Sequence, residues 1–489
     1  MALYSDEDAV PSEDMELDGR IVKATLSRTG VIRWTSSSFS DSLVLQDDLL
    51  GFSRDHSSLT LFTFKVGQVG CCALNNARVR KDIVLKFRDA DTLESWSQTI
   101  QECLNGAERP KRLLIFLNPF GGKKLAKELF QQQVEPLLSA AGVGYTLQET
   151  QHQNHAREVA RSMDPSQYDG IVCVSGDGVL AEVLNGLLER KDWETAIKLP
   201  LGVIPAGTGN GMAKSVLHHG QEICNVANAA FAIIKGSKQS LDVATVMQGQ
   251  ACFHSVLLLT WGIVADVDFE SEKLRNLGSL RSDIYSLIRI IRLRKYQGTL
   301  AYVPAPGYEG SGDPVREDSE LFAPDITDSS AGHDESWQGK SRYTGPRLVL
   351  ERSEWRSVRG KFILVWLQNV PWASETVMAA PKAEFADGFL DLIIIKDCAW
   401  WKLLGLFLKL SDGTHVNSRY VEYLKVKAFR LAPGGRVGSR VQGGYIDLDG
   451  EVLARGRGAH GDGSKDPMLY GPMLEMTVDK GLATLFCAR

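Results

Sequence analysis

The chain has 489 residues, 44% hydrophobic and 24% charged, with a formal net charge of −5. This is the composition of a globular protein with room for roughly two or three domains, and it excludes collagen-like, low-complexity and wholly disordered chains. The slight negative charge excludes a global attraction to nucleic acid, and no stretch reaches the roughly 18 to 20 apolar residues of a membrane-spanning helix.

The opening "MALYSDEDAVPSEDMELDG" is acidic, has no apolar signal-peptide core, and is expected to be a disordered tail over residues 1–19. Eight cysteines without a CxxC pair point to a reduced protein with neither a disulfide framework nor structural zinc. A cytoplasmic location follows, with any membrane met from the water side. Residues 20–108 alternate in short runs ("IVKATLSR", "GVIRWTS", "SLTLFTFKV", "DIVLKFRD") and end in "DADTLESWSQTIQECLNG". That segment starts at an Asp cap and puts Leu93, Trp96, Ile100 and Leu104 on one helical stripe. An antiparallel sheet closed by one helix resembles a pleckstrin-homology-like module, with Trp96 as its core plug.

From 109 to 243 buried strands alternate with amphipathic helices: "KRLLIFLNP", "KKLAKELFQQQVEPLLSAAG", "VGYTLQET", "NHAREVARSM", "YDGIVCVSG", "GVLAEVLNGLLER", "LPLGVIPAG". The pattern predicts an α/β domain with a parallel sheet, whose ligands bind at the carboxyl ends of the strands. Glycine clusters stand there three times: "NPFGG" at 118–122, "SGDG" at 175–178 and "AGTGNG" at 206–211. Glycine lets backbone N–H groups approach an anion, so three such turns predict a phosphate-binding edge. Lys123, Lys124 and Lys127 after the first turn read either as a solvated helix face or as an anion contact. Residues 244–489 are β-rich and sandwich-like, interrupted by an aperiodic, acidic, Pro- and Gly-bearing stretch at 304–346 that is expected to be disordered. Within this half, "RSDIYSLIRIIRLRKY" (281–296) spaces Ile284, Leu287, Ile288 and Ile291 as a helical stripe among Arg289, Arg292, Arg294 and Lys295. It reads either as core or as a basic amphipathic lid on an anionic membrane.

No Walker A loop and no GxGxxG occurs. The ordered series "LNPFGGKK", "ETQHQNHARE", "VSGDGVLAEVLNG", "IPAGTGNGMA", "WGIVADVDFESEKLRNLGSLR" and "DLDGE" instead resembles the catalytic domain of the diacylglycerol/sphingosine kinase superfamily. Within it, "ADVDFESEKLRNLGSLR" and "ERKDWETAIKLPLG" are similar to the sphingosine (long-chain base) kinases. The resemblance runs from about Lys111 onward and leaves out the first hundred residues and the insertion. It implies an ATP- and magnesium-dependent lipid kinase acting on the primary hydroxyl of a sphingoid base. It implies nucleotide contacts from Asn118, Pro119, Phe120, Gly121, Gly122, Thr150, Asn154, Ser175, Gly176, Gly178, Glu182, Gly207, Thr208 and Gly209. Asp449, Gly450 and Glu451 would close the phosphate site, with Asp449 and Glu451 as magnesium ligands. Asp177 would be the general base, and Asp268, Arg275 and Arg281 would line the junction of headgroup and phosphates. Phe120 departs from the family, which often has Arg at that position.

Phosphoryl transfer needs an aligned acceptor oxygen, a group to accept its proton, and neutralised phosphoryl charge. Asp177 on a glycine-flanked turn suits the second task, although turn chemistry or helix capping would also explain it. If "IVADVDF" is extended, Asp266 and Asp268 share a face. Asp268 then meets either the amine of a sphingoid base or Arg275 and Arg281. His152, His155, His254 and His415 have no metal-ligand spacing. A diacylglycerol or ceramide kinase, a nicotinamide-nucleotide or sugar kinase, and a non-catalytic membrane-docking protein are the alternatives.

Overall fold

The computed structural model describes residues 13–17, 19–37, 39–67, 78–106, 108–271, 273–274, 280–315, 342–439, 442–456 and 473–488. At the N-terminus, β1 (Glu13–Leu17), β2 (Arg20–Leu26), β3 (Val31–Thr35), β4 (Ser40–Val44), β5 (Leu49–Arg54), β6 (Ser58–Val66) and β7 (Arg78–Lys86) form one antiparallel sheet. Its order is β4-β3-β2-β1-β7-β6-β5. The closing helix α1 (Ala90–Asn105) begins where the Asp89 carboxylate accepts the Thr92 N–H at 2.8 Å. Trp96 is fully buried and meets Phe87 edge-on at 5.5 Å. The expected disordered tail at 1–19 is corrected at residues 13–17, which pair with β2 and β7 and bury Met15 and Leu17. Two apolar residues among acidic ones are too short a pattern to stand out.

This module shares a core with the next domain. Leu50 and Phe64 pack with Leu137, Leu138 and Phe231. Arg78 lies over the Phe231 ring at 4.7 Å and reaches Glu222 at 2.8 Å and Asp48 at 3.4 Å. A Cβ at Gly51 would sit 2.3 Å from the Ala140 carbonyl oxygen, so the two bodies touch backbone to backbone there.

The α/β domain comprises β8 (Arg112–Leu117), α2 (Ala126–Leu129, continued through a π turn at Phe130–Val134 into Glu135–Ala141), β9 (Gly144–Glu149), α3 (His155–Ser162), β10 (Gly170–Ser175), α4 (Asp177–Leu188), β11 (Leu201–Pro205), α5 (Gly211–His219) and α6 (Val226–Lys235). The strands run parallel in the order β9-β8-β10-β11. The direction of winding reverses between β8 and β10, and such a reversal leaves a crevice at the carboxyl ends.

The second half adds β12 (Lys238–Gln248), β13 (Ala251–Ser255), β14 (Leu258–Gly262), α7 (Ile263–Ser271), α8 (Leu280–Ile291), β15 (Tyr296–Pro304), β16 (Asp313–Pro314), β17 (Arg356–Phe362), β18 (Leu364–Gln368), β19 (Leu390–Ile395), α9 (Trp400–Phe407), β20 (Glu422–Arg436), β21 (Tyr445–Leu448), β22 (Glu451–Arg455) and β23 (Leu474–Phe486). Its strands continue the same sheet as β22-β21-β14-β18-β19-β20-β23-β11. β23 pairs antiparallel with β12 and β20, and parallel with β11 through Leu201 and Leu485. The boundary expected at 243/244 falls inside β12.

Three expectations are corrected here. "IVADVDF" is helix rather than strand: Gly262, at φ 105°, ends β14 and α7 begins at the next residue. Asp266 and Asp268 therefore point to different sides of α7. The insertion is ordered at both ends. β15 runs to Pro304, and β16 pairs with β17. Tyr343 is buried against Trp193 at 4.6 Å and gives its hydroxyl to Asp479, while residues 316–341 lie outside the described part. Of the stripe at 281–296, helix α8 leaves Ile284, Leu287 and Ile291 exposed rather than in a core, but Arg289 on the helix and Arg294 just after it turn inward. Arg289 pairs with Glu270 at 3.2 Å, and Arg294 with Glu270 at 2.8 Å and Asp266 at 3.6 Å.

Candidate active site

The three glycine turns meet at the winding reversal. The Asn118 N–H donates to Val174 O and the Ala206 N–H to Ser175 O. A Cβ at Gly207 would fall 2.2 Å from the Gly176 Cα, and one at Gly122 would fall 2.8 Å from Ala206 O. Glycine is thus needed for the turns to nest in one another, which the sequence alone had suggested only for approach to an anion. In the first turn Asn118 Oδ1 accepts the Phe120 and Gly121 N–H groups. Phe120 itself is exposed, as are Lys123 and Lys124, while Lys127 pairs with Glu149 at 2.9 Å.

Asp177 is the first residue of α4, with Gly176 as its cap. Its carboxylate accepts the Gly211 N–H at 2.8 Å and the Met212 N–H at 3.0 Å, so it caps α5 across the site. Gly209 lies directly over it, where a Cβ would come 3.3 Å from Oδ2. Surrounding protein raises the carboxyl above its ordinary value, the two N–H bonds oppose that, and the charge of Glu375 adds to it. The two amides leave lone pairs free on the half-buried carboxylate, so its capping of α5 does not exclude the base reading.

Beside it opens a cleft of about 420 Å³ lined by Asn118, Phe120, Thr150, Gln151, His152, Gln153, Val179, Glu182 and Glu451. Five of these residues were expected from the sequence. Glu182 accepts the N–H groups of Asn154 at 3.0 Å and Ala156 at 3.2 Å, and so holds the start of α3. Desolvation pushes its carboxyl up, and Glu451 across the cleft adds to that. Gln153 reaches Glu451 at 3.3 Å, joining the two domains over the opening. Thr208 is exposed on the third glycine turn. Ser175 is buried with its hydroxyl given to Gly176 O, so its expected nucleotide contact is not part of this arrangement. Pro119 and Gly450 lie on turns and Gly178 in the first turn of α4, whereas Arg275 is outside the described residues.

Asp449 is not placed to bind a metal. With Gly450 it makes a two-residue hairpin turn at φ 51° and 87°, the geometry that Asp-Gly favours between β21 and β22. Its carboxylate turns inward and accepts Ser255 Oγ and the N–H groups of Val256, Leu257 and Leu258 at 2.7–3.2 Å. The expected Asp449–Glu451 magnesium pair is therefore corrected. Those donors are nearly two hundred residues away, so no local spacing could reveal them. Among the described residues no group of three His, Cys, Asp or Glu side chains is arranged to hold a metal. Glu451 is the carboxylate of the two that is exposed and lines the cleft.

Asp268 is an exposed residue of α7; protein crowding raises its carboxyl and the charge of Arg281 draws it back. The sequence reading missed Glu375. Its N–H donates to Gly209 O, and its carboxylate accepts the buried Asn210 side chain at 2.7 Å, so the second domain clasps the third glycine turn.

The comparisons with known proteins bear on the family of the chain. Residues 112–246 match the diacylglycerol kinase catalytic domain, and residues 347–458 match the YegS C-terminal NAD kinase beta sandwich-like domain. Sphingosine kinase 1 of Arabidopsis thaliana is 47% identical over 480 residues, covering 98% of this chain and 96% of that one. Sphingosine kinase 1 of Homo sapiens is 35% identical over 357 residues, covering 71% and 87%. Ceramide kinase of Homo sapiens is 31% identical over 356 residues, covering 69% and 64%. The catalytic-domain match and 47% identity over nearly the full length lead to one conclusion: this chain is a lipid kinase and belongs to the sphingosine kinase family.

Proposed function

We propose that the protein transfers the γ-phosphoryl group of ATP to the primary hydroxyl of a sphingoid long-chain base, giving the 1-phosphate. The observation that carries this reading is Asp177. A carboxylate held rigidly by the start of α5, under Gly209 and beside the cleft, accepts the hydroxyl proton as the oxygen attacks. The backbone of the glycine turns and the amino end of α4 offer N–H groups to the nucleotide phosphates. ATP would lie in the cleft lined by Asn118, Thr150 and Glu182. A divalent ion, magnesium by the habit of such kinases, would take oxygen ligands from the phosphates with Glu451 as the protein carboxylate, and would neutralise phosphoryl charge. Asp268 faces the substrate amine, which diacylglycerol and ceramide lack.

The same reading places the protein in the cytoplasm and, transiently, on an anionic membrane. α8 and α9 pack together. Around them Ile284, Leu287, Ile291, Trp400, Trp401 and Leu408 are exposed, with Arg292 and Lys402 beside them. Apolar side chains with paired tryptophans at the rim suit the headgroup region of a bilayer. No helix among the described residues is long and apolar enough to cross one. Incubation with labelled ATP and, in turn, sphingosine, phytosphingosine, ceramide and diacylglycerol tests the reading. Labelling of the first two is expected, and labelling of diacylglycerol alone would sink it.

A further inference from the structure

β21 presents two faces. Ile446 and Leu448 enter the apolar core of the second domain, so Tyr445 and Asp447 point the other way, toward α7. On α7, Ala265, Asp268 and Phe269 follow one another at helical spacing, and Phe269 stacks on Tyr445 with ring centres 4.2 Å apart. Asp268 is the charge that acts most strongly on Asp447.

Asp447 is 1% exposed. Its Oδ1 accepts the Gly450 N–H at 3.0 Å, while Oδ2 has no protein donor. A buried carboxylate oxygen without a donor, beside a second carboxylate, either takes a proton or is joined by a cation, and burial with the Asp268 charge pushes the Asp447 carboxyl well above the ordinary range. Arg281 answers Asp268, and Arg455 lies over the Phe269 ring at 4.9 Å. Asp449 and Glu451 add further negative charge to Asp447. The neighbouring Asp266 is already bound to Tyr296 and Arg294.

We propose that Asp447 is a second recognition carboxylate, which with Asp268 receives the ammonium group of the sphingoid substrate. A primary ammonium carries three N–H donors, enough for one oxygen of each carboxylate. The proposal rests on the kinase reading above and names two carboxylates where that reading names one.

The test uses the full chain. Asp447→Asn keeps an acceptor for Gly450 and removes the charge. The KM for sphingosine is expected to rise about tenfold. The KM for ATP, and that for a long-chain 1,3-diol without the amine, should move less than twofold. Should Asp447→Asn fail to fold, Asp447→Ser is read by the same ratio of the two lipid KM values. An equal rise for both lipids, or no rise for sphingosine, overturns the pairing while the active wild type leaves the kinase reading standing. A wild type that leaves sphingosine unphosphorylated overturns the kinase reading, and the proposal with it.

Discussion

Asp177 and Gly211 are joined by a 2.8 Å hydrogen bond from the amide of one to the carboxylate of the other, so the proposed base is also the cap of a neighbouring helix. Asp177→Asn keeps one acceptor oxygen and loses the basicity. Turnover should fall about 10²-fold or more. Weakening the cap and its charge at the start of α5 should cost about 1 kcal/mol of stability as well. Steady-state kinetics with a thermal melt checks both, and unchanged turnover would return Asp177 to a capping role alone.

Asp449 and Glu451, two residues apart, should behave as different kinds of residue. Asp449→Ala leaves one hydroxyl and three N–H donors of residues 255–258 without their acceptor and should cost about 2–3 kcal/mol of stability. The magnesium concentration for half-maximal activity should stay the same in whatever fraction folds. Glu451→Gln should leave the melting temperature alone and raise that magnesium requirement several-fold. The reverse pattern in a magnesium titration would restore Asp449 as a ligand.

These two carboxylates also mark how far the sequence could be read. The alternation of strands and helices, the three turns at strand ends and the Trp96 plug were visible because each is written in neighbouring residues. The partners of Asp177, Glu182 and Asp449 were not, because each carboxylate reaches amides brought near only by the fold. "IVADVDF" misled for a different reason. Its apolar and acidic residues alternate with period two, while the helical pattern lies in how Ala265, Asp268 and Phe269 meet β21. Glu375 carried no local signal at all, since its role exists only through Gly209 and Asn210.

The N-terminal module should prove a fixed part of the enzyme. Arg78→Ala leaves Asp48 and Glu222 facing each other across the interface, and burial already holds the Asp48 carboxyl above its ordinary value. A loss of about 2 kcal/mol in denaturant titration is expected. Arg54→Ala, which breaks the exposed pair with Glu94, should leave stability almost unchanged. Equal small losses would mean that the module rides loosely on the catalytic domain.

On the membrane reading, Leu287→Gln combined with Trp401→Gln removes exposed apolar surface and no core. Binding to anionic vesicles and activity on vesicle-borne substrate should fall several-fold, while activity on detergent-dispersed substrate survives. Each nearby basic residue contributes about 1 kcal/mol of attraction that salt screens, so 0.5 M salt (roughly) should weaken wild-type binding too. Undiminished vesicle binding by the double variant would move the contact elsewhere.

The order of synthesis gives β23 a meaning beyond pairing. β11, β10, β8 and β9 leave the ribosome long before the strand that flanks them, yet Leu201 pairs with Leu485 and the Phe486 ring covers Gly170. Until residues 474–486 arrive, the nucleotide-binding sheet has a bare, apolar edge strand of the kind that recruits foreign strands. A nascent chain stalled within the second domain would therefore carry all three glycine turns and still be an aggregation-prone client for chaperones. The second domain must be made before the α/β sheet can close at this edge.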